Sequence, residues 1–282
     1  MNKDWTLIIT PHHKLWHVDF KEIWRYRDLI TLFVKRNIIV QYKQTILGPL
    51  WYIIQPVLTV IMNMVVFGGI AKMSTDGIPQ PLFYMAGNVC WFYFSDCLNQ
   101  TSNTFTANQS MFGKVYFPRL VVPISTVLSN LLRFGIQLTL FVVLWIWFYA
   151  SGASVNVNVG VIVLLPVLVM MLAGLGLGFG ILISSMTTKY RDLTILFTFI
   201  VQLWMYATPI VYPMSMVTNP TLRTIIMLNP MTSIIEAFKY VTLGEGYFSW
   251  LALGYSFTFM CILLLLGIVI FNKVQRSFMD TV

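Results

Sequence analysis

The chain has 282 residues, of which 57% are hydrophobic and only 10% charged. Soluble domains carry about a quarter charged residues, so this composition excludes an ordinary soluble protein and predicts an all-α integral membrane protein. The formal charge of +8 does not point to nucleic acid, because the cations sit beside apolar spans rather than in one soluble patch.

Residues 1–19 read as a polar tail with Trp5 and Trp16 as interfacial anchors. His12, His13 and His17 cluster there, but no carboxylate or cysteine stands at a metal-ligand spacing, so a solvated tail is the reading. The first 45 residues carry eight Lys or Arg and four Asp or Glu, with no apolar run of the signal-peptide kind.

From Phe20 the pattern becomes an amphipathic helix. At 100° per residue, Lys21, Arg25, Asp28, Lys35, Arg36 and Lys43 share one face, and Ile23, Tyr26, Ile30, Phe33, Val34 and Ile38 lie opposite. Leu32 and Ile39 interrupt the polar side. Such a helix lies in the membrane interface, its cations meeting anionic head groups.

Gly48-Pro49 then breaks that helix from a first span at about 46–70, within a stretch of 28 residues without charge. A GIPQP loop leads to a second span at about 82–107. A polar hairpin over 108–119 separates it from a third at about 120–149. Between Arg133 and Lys189 lie 55 uncharged residues, divided by the small polar segment SGASVNVN, which places a fourth span at about 158–186. That span holds Gly174, Gly176, Gly178 and Gly180, two GxxxG spacings that predict close helix packing rather than nucleotide binding. A fifth span, about 193–212, follows the TTKYRD loop.

Residues 213–248 are broken by Pro213, Pro220, Pro230 and Gly244. Asn219-Pro220 and Asn229-Pro230 each set an N-cap before a first-turn proline, predicting two short helices over 220–228 and 230–243. A sixth span covers about 249–271 and a basic tail 272–282. The domains are thus a tail and interfacial helix (1–45), one transmembrane unit (46–271) and a terminal tail.

The cations fix an orientation. One side holds 14 Lys or Arg and the other three (Lys72, Arg223 and Lys239), so both termini are expected in the cytoplasm and the two short helices outside.

Phosphate-loop, zinc-hydrolase and nucleophile-elbow motifs are missing from the sequence, as are paired carboxylates in a plausible cleft. A membrane-bound glycosyltransferase or lipid phosphatase, which needs clustered acids, His or a metal, is therefore disfavoured. Cys90, Cys97 and Cys261 read as small buried hydrophobes. Asp96 and Arg133 fall at similar depth within spans two and three. They either pair with one another or are wetted separately. The 43 aromatic residues serve mostly as an interfacial belt, but a sugar pathway would use aromatic faces too. Trp51, Tyr52, Trp91, Phe92 and Phe94 are the candidates for it.

The strings VKRNIIVQYKQTILGPLWYIIQP, FPRLVVPIS, KYRD, WMYATPIVYP and LNPMTSIIEAFKYVTLG, in this order across nearly the whole chain, resemble the membrane subunit of ABC-2 type polysaccharide exporters. The likeness is greatest to the Wzm-type permeases of lipid-linked O-antigen. The resemblance implies a homodimer of six-span protomers in the bacterial inner membrane, with short periplasmic gate helices. It also implies two copies of a separate ATPase subunit, which would carry ATP and Mg and leave this chain without a cofactor. The substrate implied is a polysaccharide on undecaprenyl diphosphate. Teichoic acid and capsular polysaccharide exporters share the architecture, and small-drug efflux fits less well.

Residue by residue, the hairpin with Phe112, Lys114, Tyr116, Phe117 and Arg119 matches the segment that couples to the ATPase. Leu47-Gly48 matches the family's loop at the channel entrance. Lys35, Arg36 and Lys43 flank that entrance, where a diphosphate head group arriving in the inner leaflet would need cations.

Overall fold

A computed structural model describes residues 20–43, 45–112, 114–153, 157–158, 161–190 and 192–278. The histidine-bearing tail, Arg191 and the last four residues lie outside the described residues. The described residues form helices and turns, with no strand among them.

The amphipathic segment folds as α1 (Phe20–Arg25) and α2 (Arg27–Tyr42), separated where Tyr26 leaves the helical region at φ −91° and ψ 20°. Phe33 is buried on its apolar side, while Leu32 and Ile39, which interrupt the polar face, are exposed. Gly48 turns the chain with φ +49°, a left-handed conformation that a Cβ would strain. A 3₁₀ turn over Gly48–Leu50 then feeds α3 (Trp51–Asn63), which widens into a π-helical stretch over Met64–Ile70.

The centre of the molecule is α4 (Gln80–Ser102), most of whose residues are buried. Its polar residues face protein, which explains why a helix this long is less apolar than its neighbours. It ends at Asn103, and the short helices α5 (Thr104–Ala107) and α6 (Gln109–Phe112) follow, so the helix predicted to reach residue 107 stops earlier. α7 (Val121–Ala150) packs along α4.

α8 (Leu164–Thr187) is clamped between α4 and α12 (Trp250–Phe278). Its two glycine pairs serve opposite sides. A Cβ on Gly176 would lie 2.6 Å from Cys97 Cβ, and one on Gly180 2.5 Å from Thr101 Cβ, both on α4. A Cβ on Gly178 would lie 3.0 Å from Leu263, and one on Gly174 would strike Met260, both on α12. Bare backbone therefore lets two neighbours approach one helix at once.

α8 begins six residues later than the sequence pattern suggests. Asn158 lies outside the helix, its N–H bonded to the Val241 carbonyl at 3.0 Å. α9 (Leu193–Tyr206) likewise stops short of residue 212, because Pro209 and Pro213 withhold the amides needed to continue. α10 (Pro220–Leu228) and α11 (Pro230–Leu243) start at Asn219 and Asn229, whose side chains accept the first free amides. Gly244, at φ +78°, ends α11. α12 runs to Phe278, past the predicted end at 271.

Among the described residues, four helical stretches are long and apolar enough to cross a membrane: Gly48–Ile70, Val121–Ala150, Leu164–Thr187 and Trp250–Gln275. The chain is a multi-pass membrane protein.

Candidate functional site

Three regions converge on α3. The first is its junction with α2. Lys35, Arg36 and Lys43 are exposed along α2, with the Arg36 guanidinium 4.7 Å from the Phe33 ring centroid. Leu47 and Gly48 are half-buried at the turn, and Ile46 beside them is fully exposed.

The second is a polar knot. Arg133 Nη1 lies 2.8 Å from Asp96 Oδ2, and Arg133 Nη2 donates to Gln55 Oε1 at 2.8 Å. The same guanidinium sits 5.1 Å from the Tyr52 ring centroid, and the Tyr52 hydroxyl donates to Gln41 Oε1 on α2. Sequence reasoning singled out Asp96 and Arg133 but not Gln41 or Gln55, whose uncharged amides gave no signal of their own.

The third is a groove of about 530 Å³ between α3 and α9. Gln55, Thr59 and Asn63 recur every fourth residue and form one polar stripe along it, with Trp51 and Tyr206 beside them. Asn63 Nδ2 is buried and, among the described residues, donates to no acceptor. Tyr206 also borders a second cleft of about 830 Å³, lined by Trp204, Tyr212, Leu222 and Ile225 beneath α10. The groove and the cleft share Tyr206, and no charged side chain lines either among the described residues.

The aromatic candidates need correction. Phe94 is fully buried and packs edge-on against Trp204 and Phe179, and Trp91, 3% exposed, packs edge-on against Trp204, so neither faces an opening. Phe92 leans on the same core, and Tyr52 is covered by Arg133. Trp51 alone of the five stands in the groove; Tyr206 is the aromatic that the sequence reading missed.

The 108–119 hairpin divides in two. Phe112 and Phe117 are buried in a cluster with Phe33, Phe105 and Phe271, so they cannot be inserted into a partner. Arg119 is also buried, donating to the Gln275 carbonyl at 2.9 Å over the Phe112 ring, and burial draws its guanidinium below its ordinary pKa. Lys114 and Tyr116 are exposed, with Val115 between them. Partial desolvation, then Glu22 and Tyr26 on the interfacial segment, push the Tyr116 hydroxyl above its usual pKa, and Tyr26 packs on the same cluster as Phe112 and Phe117, which sets the interfacial segment beside the hairpin.

At the other end, α11 carries a buried ion pair. Lys239 Nζ donates to the Pro209 carbonyl at 2.6 Å and to Glu236 Oε1 at 3.3 Å, and Glu236 Oε2 accepts the Tyr247 N–H at 3.0 Å. Lys239, counted among the three cations of the outer side, therefore belongs to the core.

This combination of an interfacial helix, closely packed spans and a charge-free groove coincides with a family match: the ABC-2 type transporter profile covers residues 28–243. The chain belongs to the ABC-2 type transporter family. Among curated relatives of this ABC-2 transporter, an O-antigen export system permease of Myxococcus xanthus is 27% identical over 222 residues, covering 78% of this chain and 82% of that one. A protein of the same description from Klebsiella pneumoniae is 26% identical over 255 residues, covering 90% and 94%. The polysialic acid transport protein KpsM of Escherichia coli is 29% identical over 115 residues, 39% of this chain and 43% of its own.

Proposed function

We propose that this chain is the channel-forming membrane subunit of an ATP-driven exporter of lipid-linked polysaccharide, with O-antigen on undecaprenyl diphosphate as the substrate class. One observation carries the reading. The groove along α3 is free of charged side chains among the described residues and combines the polar stripe of Gln55, Thr59 and Asn63 with Leu58, Met62 and Met205 beside Trp51 and Tyr206. Neutral sugars are met by such a surface without being held: aromatic faces cover C–H faces, and scattered polar groups exchange hydrogen bonds as the polymer slides. A lone protomer offers half a pore, so a second copy would close it.

In this reading α4 and α9 complete six spans, with α9 at 14 residues spanning about 21 Å and relying on the following turn. Both termini are cytoplasmic and α10 and α11 lie on the periplasmic side of the inner membrane. Lys35, Arg36 and Lys43 meet the diphosphate at the inner leaflet. Lys114, Val115 and Tyr116, with α1, form the docking surface for a separate ATPase that supplies the nucleotide site. Closure of two such ATPases would shift the packed helices as rigid bodies.

The partial match to a polysialic acid transporter favours capsular polysaccharide as a second substrate class; teichoic acid export shares the same mechanism. Co-purification with the product of the neighbouring ATPase gene, then ATP hydrolysis with and without lipid-linked glycan, tests the reading. A two-plus-two complex stimulated by the glycan is expected. A chain that purifies without an ATPase overturns it.

A further inference from the structure

The first span has little packing to hold it. α3 buries only Tyr52, Pro56, Val60 and Asn63, one stripe along the helix. Trp51, Leu58, Ile61 and Met62 remain about half exposed. Apolar contacts between membrane helices exclude no water, so so narrow a stripe fixes position weakly. Directional bonds at the N-terminal end of α3 are therefore disproportionately important.

We propose that Arg133 is a positioning residue for transport, the hub of a clasp that sets α3 against α4 and α7 and ties α3 to the interfacial helix. The guanidinium is a planar fork whose two terminal nitrogens and face each have a different partner, while Nε is buried without an acceptor among the described residues. Nη1 meets Asp96 on α4 and Nη2 meets Gln55 on α3, each at 2.8 Å, while its face covers the Tyr52 ring. The Arg133 and Asp96 side chains are 16% and 22% exposed, so the pair is shielded from salt and keeps its directionality. Tyr52, held between Arg133 and Gln41, links the clasp to α2.

A displacement of α2 pulls on Tyr52 through Gln41, and Tyr52 cannot follow without sliding off the guanidinium. The clasp thus converts movement of the interfacial helix into movement of α3, which forms one wall of the groove. The geometry stands by itself; its consequence for transport rests on the export reading.

The test is distance measurement by electron paramagnetic resonance in lipid nanodiscs, with Cys261→Ser and spin labels at Leu58 on α3, Val143 on α7 and Val40 on α2, positions that are all exposed. Arg133→Lys keeps a charge beside Asp96 but loses the fork, so the α3–α7 distribution widens and shifts to longer distance while the melting temperature is retained. Tyr52→Phe leaves that distribution alone and widens the one between α2 and α3. Both variants lower surface glycan in cells. Should Arg133→Lys fail to fold, Gln55→Leu carries the same α3–α7 expectation. Unchanged distances in Arg133→Lys or Gln55→Leu overturn the clasp. Shifted distances with full export overturn its role in transport. Because the distances are read in the permease alone, a failure of the export reading leaves them unaffected.

Discussion

Lys239→Met is the substitution whose cost the structure specifies most fully. Lys239 is 1% exposed and Glu236 beside it 2%. The ammonium makes two hydrogen bonds, to Pro209 O and Glu236 Oε1, and lies 4.0 Å from the Phe83 ring centroid. Methionine fills the space and keeps the ring contact, but it leaves the Glu236 carboxylate with the Tyr247 amide as its remaining bond and strips the Pro209 carbonyl of its donor. Removing one partner of a buried pair costs about 3–5 kcal/mol. Glu236→Gln leaves the buried ammonium uncompensated and turns an amide NH2 toward either Lys239 or the Tyr247 N–H, so it should cost as much, about 3–5 kcal/mol. Replacing both, Glu236→Leu with Lys239→Met, removes the uncompensated charge and should recover most of the loss. Equilibrium unfolding in detergent micelles or bicelles measures all three against wild type. Additive losses in the double variant, or a Lys239→Met protein as stable as wild type, would refute the reasoning that the pair is mutually compensated.

Further outcomes follow from the packing. Gly176→Val should disrupt the α4–α8 contact and abolish folded protein, whereas Gly135→Ala, where a Cβ meets nothing within 4 Å, should leave gel-filtration behaviour unchanged. Phe117→Ala should lower unfolding stability by about 3–5 kcal/mol through the buried aromatic cluster. Tyr116→Ala should leave stability within about 0.5 kcal/mol but weaken ATPase binding in a pull-down. Neutralising Lys35, Arg36 and Lys43 together as glutamines should reduce glycan-stimulated ATP hydrolysis without changing the basal rate; unchanged stimulation would remove the diphosphate role.

How much of this was legible in the sequence depended on whether a signal was local. The Asn-Pro pairs before α10 and α11 announce helix starts because capping and proline geometry involve only adjacent residues. The glycines of α8 announce close approach for the same reason, since a missing Cβ is a property of each position. What the sequence could not show is which way a residue faces once six or more helices surround it. Trp91 and Phe94 sit on the buried side of α4, so most of an aromatic run that resembles a channel lining is core. The hairpin reads as one exposed segment, yet Phe112, Phe117 and Arg119 turn inward while Lys114 and Tyr116 turn out. Lys239 counts only as one of three outer-side cations until the Pro209 carbonyl and Glu236 are placed beside it. The Gln55, Thr59 and Asn63 stripe was in principle visible as a four-residue polar repeat within an uncharged span, but the groove it lines needs α9, from more than a hundred residues away, to define it.

In the proposed function this chain provides the route by which a lipid-linked polysaccharide leaves the cytoplasm. The most direct measurement is to delete the gene in its host and locate the glycan, by comparing intact-cell labelling with total cell extract. Polymer that is still synthesised on its lipid carrier but stays inaccessible from outside, and that reaches the surface again when the gene is restored, is the predicted result. Polymer that reaches the surface undiminished without the gene would contradict the account.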